Sequence, residues 1–509
     1  MKNKITPAFL LLILLHTGCT DLEENLYQAP TDATFFQSEA GYRAVMADVY
    51  APLRSLGNHG GYFSLQEIAS DEVALPQRGN DWGESEWVRA HRHEFQAYDP
   101  GVTNAFNFLY QGIFACNRAI YQFETLKRNQ LGKDALSDQY IAETRALRAL
   151  YYYWALDAFG NIPIIVDYAN PDVEMPFTTP RAEVFKFVEN ELRASYQQLA
   201  QNVDASTYGR MHYFAAMALW AKLYLNAEVY TGMARWHDVV TTCDAIINSG
   251  VFFLESDYRQ LFAVQNEGNP EFILAVPFDE TFAKGFNLAQ MTLHYGSQAT
   301  FDLKQQPWNG YCTLQDFYEM HENNDARKQN FIVGPQFAAD GVTPILDPQG
   351  INDPDGPPLN YTPEINQLGP QCYRQAGARI GKYAFKTGAN ADLDNDMPIF
   401  RFADILLMKA EALWRMDPGS AEALELVNLV RNRAFEPDQP LQQLTAKDFL
   451  DERGREFFYE GLRRQDLIRF GVYGKPTEFM PGSEPCKEIW PIPLTQLTLG
   501  PNIQQNPCY

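Results

Sequence analysis

The sequence predicts a mainly helical protein: a scaffold of tetratricopeptide-like helix pairs with a loop-rich insertion and few short strands. Three observations lead there. Apolar residues recur at three- and four-residue steps, as in Leu147, Leu150, Tyr151, Trp154 and Ala158, which places one wide apolar stripe on a helix. Successive helical segments lie a few tens of residues apart, the spacing of stacked helix pairs, although no clean repeat consensus appears. Between residues 251 and 395 that pattern gives way to Gly, Pro, Asn and Asp clusters such as Asp353-Pro354-Asp355-Gly356, the composition of ordered loops.

Taken in order, Lys2 and Lys4 precede an apolar run over 8–15 and then His16-Thr17-Gly18-Cys19, which makes residues 1–18 a signal peptide too short to span a bilayer. Small residues before Cys19 resemble the bacterial lipobox, with His16 where an aliphatic residue is usual. Cys19 is then the expected lipidation site, and residues 19–30 a tether. An N-terminal region over 31–250 follows. It holds helices at 32–56, 104–126, 137–159, 181–199, 212–230 and 236–249, and a stretch over 57–101 too punctuated for long helices. Gly160 stops the helix that ends in the aromatic run Tyr151-Tyr152-Tyr153-Trp154. The insertion spans 251–395, with a strand over 271–277. The C-terminal region, 396–509, holds helices at 402–416, 421–434 and 447–459, the last continuing through Gly461 to Gly471.

Composition narrows the function. With 64 acidic against 41 basic residues and a net charge of -23, the chain lacks the cationic surface a general nucleic-acid binder needs to neutralise phosphate. Aromatics make up 14% of the chain, more than core filling usually needs, which hints at exposed stacking surfaces. Cysteines 116, 243, 312, 372, 486 and 508 form no CxxC and stand near no histidine at ligand spacing, so no metal site is expected. Export permits disulfides. Cys486 with Cys508 is the first pair to test, buried free thiols being the alternative.

The segment AETRALRALYYYWALDAFGNIPIIVD over 142–167 resembles the diagnostic segment of the SusD/RagB family. Further matching passages follow in order: Tyr208-Gly209-Arg210 leading into AAMALWAKLYLNAEVYTG, GARIGKYAFK, DMPIFRFADILLMKAEALW, DERGREFFYEGLRRQDLIRFG, IWPIPLTQL and the terminal QQNPCY. Cys508 departs from the glycine common before the last tyrosine. The resemblance implies four tetratricopeptide-like helix pairs and a ligand surface built by irregular loops. It implies no enzyme activity and no cofactor. It also implies a lipid-anchored outer-membrane protein that presents glycan to a TonB-dependent (SusC-like) transporter; a minority branch of the family handles peptides. The acidic flank Asp21, Glu23 and Glu24 resembles the surface-export signal of Bacteroidetes lipoproteins.

Sugar binding needs flat aromatic faces for the C–H side of a pyranose and polar groups for its hydroxyls. Two clusters offer both. The first is Arg78, Asn80, Asp81, Trp82 and Trp87; the second is Trp308, Asn309 and Tyr311, preceded by Tyr295. The family's starch binder draws stacking aromatics from these two regions, and spacing leaves open whether Trp82 or Trp87 is the equivalent. Asp392, Asp394 and Asp396 alternate like a calcium loop but lack its Gly and Glu, and are read as capping the helix at Phe402. His91 and His93 are read as surface or loop-packing residues. Glu452, Arg453, Arg455 and Glu456, with Arg463, Arg464 and Asp466, are expected to form ion pairs between helices. A glycoside hydrolase using Asp71, Glu72 and Asp81 is the competing reading. No GxSxG, HExxH or Walker motif suggests other chemistry.

Overall fold

A computed structural model describes residues 35–83, 86–169, 176–347 and 357–509. The leader, Cys19, the tether and the 353–356 cluster lie outside these residues. The N-terminal helices are α1 (Glu39–Tyr50), α2 (Tyr62–Ile68), α3 (Glu86–His91), α4 (Pro100–Arg128), α5 (Asp134–Phe159), α6 (Arg181–Ser195), α7 (Tyr213–Leu225), α8 (Ala227–Thr231) and α9 (Trp236–Ile247). Short helices α10 (Leu288–Thr292), α11 (Gln298–Phe301) and α12 (Gln315–Glu319) interrupt the insertion. The chain closes with α13 (Phe402–Met416), α14 (Ala421–Ala434), α15 (Ala446–Phe457), α16 (Arg463–Arg469) and α17 (Leu494–Leu499). Neighbours pack as α4 on α5, α5 on α6, α7 on α9, α9 on α13 and α13 on α14, so the N- and C-terminal helices share one hydrophobic core.

Helix α5 is the hub. Tyr151 and Tyr152 are fully buried and Tyr153 nearly so, and their hydroxyls donate to Val49 O, Ile165 O and Gln465 Oε1, reaching α1, the following loop and α16. Gly112 lets α4 close onto it, since a Cβ there would meet the Tyr151 ring at 2.4 Å. Arg148 and Arg145 both bind Glu191 of α6. Asp157 accepts from Tyr230 at 2.8 Å and from Arg464 of α16 at 2.9 Å.

Two expected helices break. The 212–230 segment divides at Asn226, whose buried side chain turns inward to Gln465 and Arg469. The 447–459 helix stops at Phe457 instead of running on to Gly471. Tyr459 and Gly461 adopt left-handed φ of 57° and 72°, and their amides are held by Glu72 and Glu67 across a sequence gap of more than 380 residues. The punctuated 57–101 stretch contains α2 and α3.

Helix α15 carries charge on opposite faces into the dry interior. On one side Glu452 accepts from Arg327 at 2.7 Å and Arg431 at 2.9 Å, while Glu456 accepts from Arg401 at 3.0 Å and from Arg433. On the other, Arg453 donates to Asp404 at 2.8 Å and Asp466 at 2.7 Å, and Arg469 joins Asp466 to Glu411. Most of these side chains are fully buried, so the expected ion pairs exist as a connected interior lattice. Burial pushes the Glu452 carboxyl up, but Arg327, Arg455 and Arg431 outweigh it and hold it at about 2.

Strands are short and pair as antiparallel ladders that tie distant segments together. Strands β1 (Val73–Ala74), β2 (Phe272–Val276), β3 (Cys312–Thr313), β4 (Phe331–Ile332), β5 (Gly334–Pro335), β6 (Asn360–Tyr361), β7 (Arg379–Ile380) and β8 (Met397–Arg401) pair as β1 with β3, β2 with β8, β4 with β7 and β5 with β6. The β2–β8 pair brings together the two ends of the insertion. Asp392, Asp394 and Asp396 do not cap α13, which starts directly after β8 with no side-chain cap. They accept the amides of Gly285, Glu280 and Phe278 instead and pin the turn after β2. Cys486 and Cys508 form a disulfide, and the thiols of Cys116, Cys243, Cys312 and Cys372 are buried and free.

Three outcomes follow from this frame. Glu456→Ala removes a buried carboxylate shared by the guanidiniums of Arg327, Arg401 and Arg433 and should cost about 3–5 kcal/mol in chemical denaturation. Cys508→Ser opens a loop closed over a separation of 22 residues and should lower stability by about 3 kcal/mol; dithiothreitol should do the same to wild type and nothing to the variant. The third outcome is a pH dependence. Burial raises the Glu67 carboxyl from 4.5 to about 7, and its neighbour Glu72 is raised as well. A raised carboxyl stabilises the fold below its unfolded value and loses that contribution as pH climbs from 4.5 through 7. Glu452 works in reverse, losing its contribution as pH falls from 4.5 towards 2. Melting temperature should therefore decline from pH 5 to 8 as well as at strongly acid pH, and Glu67→Gln should reduce the upper limb, which Glu72 shares, while leaving the acid limb unchanged.

Candidate glycan-binding site

Between β1 and α3 the chain makes a tight turn in which Arg78 and Asp81 exchange backbone hydrogen bonds at 3.0 and 3.1 Å. Its next residue, Trp82, has a φ of 57°, a left-handed conformation uncommon for a bulky side chain. The segment after α11 makes a second such turn at Asn309, φ 55°. The two turns face each other. Trp82 Nε1 donates to Trp308 O at 3.0 Å, and Gly310 fits because a Cβ there would meet Met291 O at 2.5 Å and the Trp82 ring at 3.0 Å.

Arg78 holds this junction from beneath. It is fully buried, and its guanidinium donates to the carbonyls of Asn309, Gly310, Tyr373 and Ala376 and to Cys312 Sγ. Those five acceptors match the five N–H donors of arginine. Arg78 therefore belongs to the support of the surface, and its expected role in touching ligand is corrected. The same correction applies to three more residues. Trp87 is buried, its ring wedged against Gly101 and 4.7 Å from His59. Asn309 is fully buried, its Oδ1 taken by Arg379 at 2.9 Å. Tyr311 is buried with its hydroxyl 2.7 Å from both Ser64 Oγ and His59 Nδ1.

The remaining candidates reach solvent. Trp308 is 38% exposed, and Trp82 and Tyr295 are half-buried. Asn80 is exposed at the tip of the turn. Asp81 receives the Tyr295 hydroxyl and lies 3.7 Å from Arg374. Arg374 covers the Tyr295 ring at 4.8 Å and binds Asp347 at 2.7 Å. Burial, together with the bond to Asp81, raises the Tyr295 phenol to about 12, so it remains a neutral donor. Three aromatic residues from three segments thus gather at these turns, Trp82 bonded to the Trp308 backbone and Tyr295 to the adjoining Asp81, with the Arg374 guanidinium over the Tyr295 ring.

Sequence reasoning missed His59, Arg374, His294 and Asp347. His59 stands edge-on to Trp82 at 4.9 Å, and burial lowers it to about 4, so its ring is neutral. His294 accepts from Gly296 N through Nδ1, which leaves Nε2 to donate to Asp347 at 2.9 Å. The one local signal was the Gly57-Asn58-His59-Gly60-Gly61 run, where glycines bracket a histidine. Nothing in the sequence around Arg374 marks it.

The hydrolytic carboxylates do not assemble. Glu72 is buried against Tyr459 N, Asp71 holds Arg463 at 2.7 Å, and Asp81 is engaged by Tyr295. His91 and His93 pack as expected: His91 bonds Ile68 O and Glu478 O, and His93 stacks on Tyr473 at 3.9 Å. A cavity of about 280 Å³ adjoins His59, lined by Asn58, Asn104, Asn107 and Gln111 among others. Larger hollows of about 470 and 990 Å³, around Tyr208 and Asp325, are lined by none of the nine candidates.

Residues 28–225 match the family described as starch-binding associating with outer membrane. The starch-binding protein SusD of Bacteroides thetaiotaomicron is 25% identical over 414 residues, 72% of each chain, and a SusD-like protein of Bacteroides ovatus is 25% identical over 508 residues, 93% of this chain and 83% of that one. Among solved structures, a laminarin-binding SusD-like protein superposes with a TM-score of 0.73 at 22% identity, covering 93% of this chain and all of the other. Surface glycan-binding protein A of Bacteroides thetaiotaomicron, in complex with laminarihexaose, gives 0.73 at 21% identity, with 92% and 99% covered. These likenesses show the fold. Residues 248–509, about half of the chain, match the SusD family itself, and the chain belongs to that family.

Proposed function

We propose that this protein captures glycan at the cell surface and passes it to a TonB-dependent transporter without chemical conversion. The observation that carries the reading is the surface made by Trp82, Trp308 and Tyr295. Aromatic faces set by strained, cross-braced turns suit the C–H faces of sugar rings, and Asp81, Asn80 and Arg374 offer hydrogen bonds for hydroxyls. The names of the relatives, starch-binding and laminarin-binding, support a glycan over a peptide. The lipobox-like leader ending at Cys19 and the description of the matched N-terminal family support an outer-membrane anchor. A multiply acylated cysteine gains about 0.8 kcal/mol per buried CH₂, enough to hold a protein on a membrane. Among the described residues no helix is long and apolar enough to cross one.

Native electrophoresis through starch and laminarin gels tests the site. Wild type should be retarded with a dissociation constant of roughly micromolar to millimolar. Trp308→Ala should lose most of that retardation at unchanged melting temperature, because its ring is partly in solvent, and Trp82→Ala should lose it too. Retardation undiminished in both variants sinks the assignment, and reducing ends released from the glycan would restore the hydrolase reading. Because His59 stays neutral down to about pH 4, retardation should be flat from pH 8 to pH 5; a loss centred near pH 6.5 would show a charged imidazole at the site. Recovery of a transporter with the affinity-purified protein from membranes checks the partner.

A further inference from the structure

Helix α4 presents an unbroken solvent-facing stripe. Asn104, Asn107, Gln111, Phe114, Arg118 and Tyr121 are all exposed, and at 100° per residue they fall within one face about 100° wide. The stripe begins at the candidate site. Asn104 donates to Gly60 O at 2.8 Å, and Asn104, Asn107 and Gln111 line the same cavity as His59, whose ring touches Trp82. It ends about 25 Å further along the helix axis, at 1.5 Å per residue, in a second aromatic pocket.

That pocket, about 220 Å³, is lined by Asn117, Tyr121, Glu124, Arg145, Asp167 and Tyr168 among others. Tyr121 is 40% and Tyr168 49% exposed, with ring centroids 5.8 Å apart at 43°, an open wedge rather than a packed stack. The loop bearing Tyr168 is fixed to the body, since Asn117 Nδ2 and the Tyr152 hydroxyl both donate to Ile165 O. Among the described residues, neither tyrosine hydroxyl has a hydrogen-bond partner, and nor do the side chains of Asn107 and Gln111. Arg145 gives Nε and Nη2 to Glu191 and keeps Nη1. Unused amides, two tilted phenol rings and a guanidinium edge around a hollow below the size of an ordinary ligand pocket suit a single sugar ring.

Resting on the glycan reading above, we infer that the exposed face of α4 is a track along which a polysaccharide continues from the Trp82–Trp308 surface to a second stacking site at Tyr121 and Tyr168. Amides along the middle would meet hydroxyls, and the aromatics at both ends would anchor the chain. Short oligosaccharides would occupy the first anchor only. Polymers would engage both, with the second contact strengthened by its tethering to the first.

The experiment compares wild type, Trp308→Ala, Gln111→Ala and the Tyr121→Ala/Tyr168→Ala double variant in laminarin and starch gels, and by titration calorimetry with laminaritriose and maltotriose. Melting curves check folding. The double variant should bind polymer about tenfold more weakly, and Gln111→Ala a few-fold more weakly, both keeping wild-type trisaccharide affinity and melting temperature. Trp308→Ala should weaken polymer and trisaccharide together. If Trp308→Ala loses binding while the double variant keeps wild-type polymer retardation, the track falls and the first site stands; the stripe is then left as a surface for a protein partner. If the double variant weakens trisaccharide as much as polymer, the second-site role is overturned. If wild type is retarded by neither polymer, the track falls along with the glycan reading for these ligands.

Discussion

Charge without water is the constraint the fold is arranged around. Helix α15 places Glu452, Arg453 and Glu456 in the interior, where an unpaired charge costs several kcal/mol. Each is answered from a different part of the chain: Arg327 from the insertion, Arg401 from β8, Arg433 from α14, Asp404 from α13, Asp466 from α16. Such a lattice adds little net stability over an apolar core of equal volume. Its value here is register. A helix displaced by one turn would bring Phe449 or Phe457 to the place of Arg453 and take its guanidinium from Asp404 and Asp466, so the observed placement of the C-terminal helices is the one that satisfies these partners together. Through Arg464 and Asp157 the same logic reaches α5, and so joins the two ends of the chain.

The candidate surface repeats this on a smaller scale with neutral acceptors. Among the described residues Arg78 pairs with no carboxylate; four carbonyls and a thiol from two other loops surround its guanidinium. A planar group with five fixed donors is a geometric template, and the 309–312 and 373–376 segments each supply acceptors at positions that suit it. A lysine would fill fewer of those positions and leave carbonyls orphaned. This bracing accounts for Trp82 and Asn309 in left-handed conformations, which cost on the order of 1–3 kcal/mol each and persist only where the surroundings over-determine them.

Helices were largely legible in the sequence because their information is local. The boundaries of α13 and α14 fall where periodicity and turn residues place them, and the crowded aromatic run of α5 reads as packing. The end of α15 was not legible, since Glu67 and Glu72, almost 400 residues away, determine it. The site was half legible for the same reason. Residue type marks Arg78, Asn309 and Tyr311 as donors suited to sugar hydroxyls, but not which acceptors they meet. For Arg78 those acceptors are 231 residues and more away. Trp82 and Trp87 differ only in what covers them, and Gly101 with His59 covers Trp87. The loop cysteines were similarly ambiguous until geometry paired Cys486 with Cys508.

Bracing of this kind has a functional consequence. Stacked sugar rings and solvent-exposed hydrogen bonds each contribute little, so binding depends on how much freedom the receptor must surrender. A tryptophan on a loose loop would lose much of the stacking energy in ordering that loop. Here the ordering has taken place during folding: Trp82 is held through Nε1, Trp308 through its amide on Gln290 O, and Tyr295 between Asp81 and Arg374. The groups left exposed are those at the rim, such as Asn80. Under the proposed delivery role, weak and reversible binding on a rigid aromatic surface is what the function would require, because a ligand held tightly could not be handed on. The buried lattice and the strained turns therefore converge on one result: on the proposed function, a surface that would meet glycan without first having to be assembled.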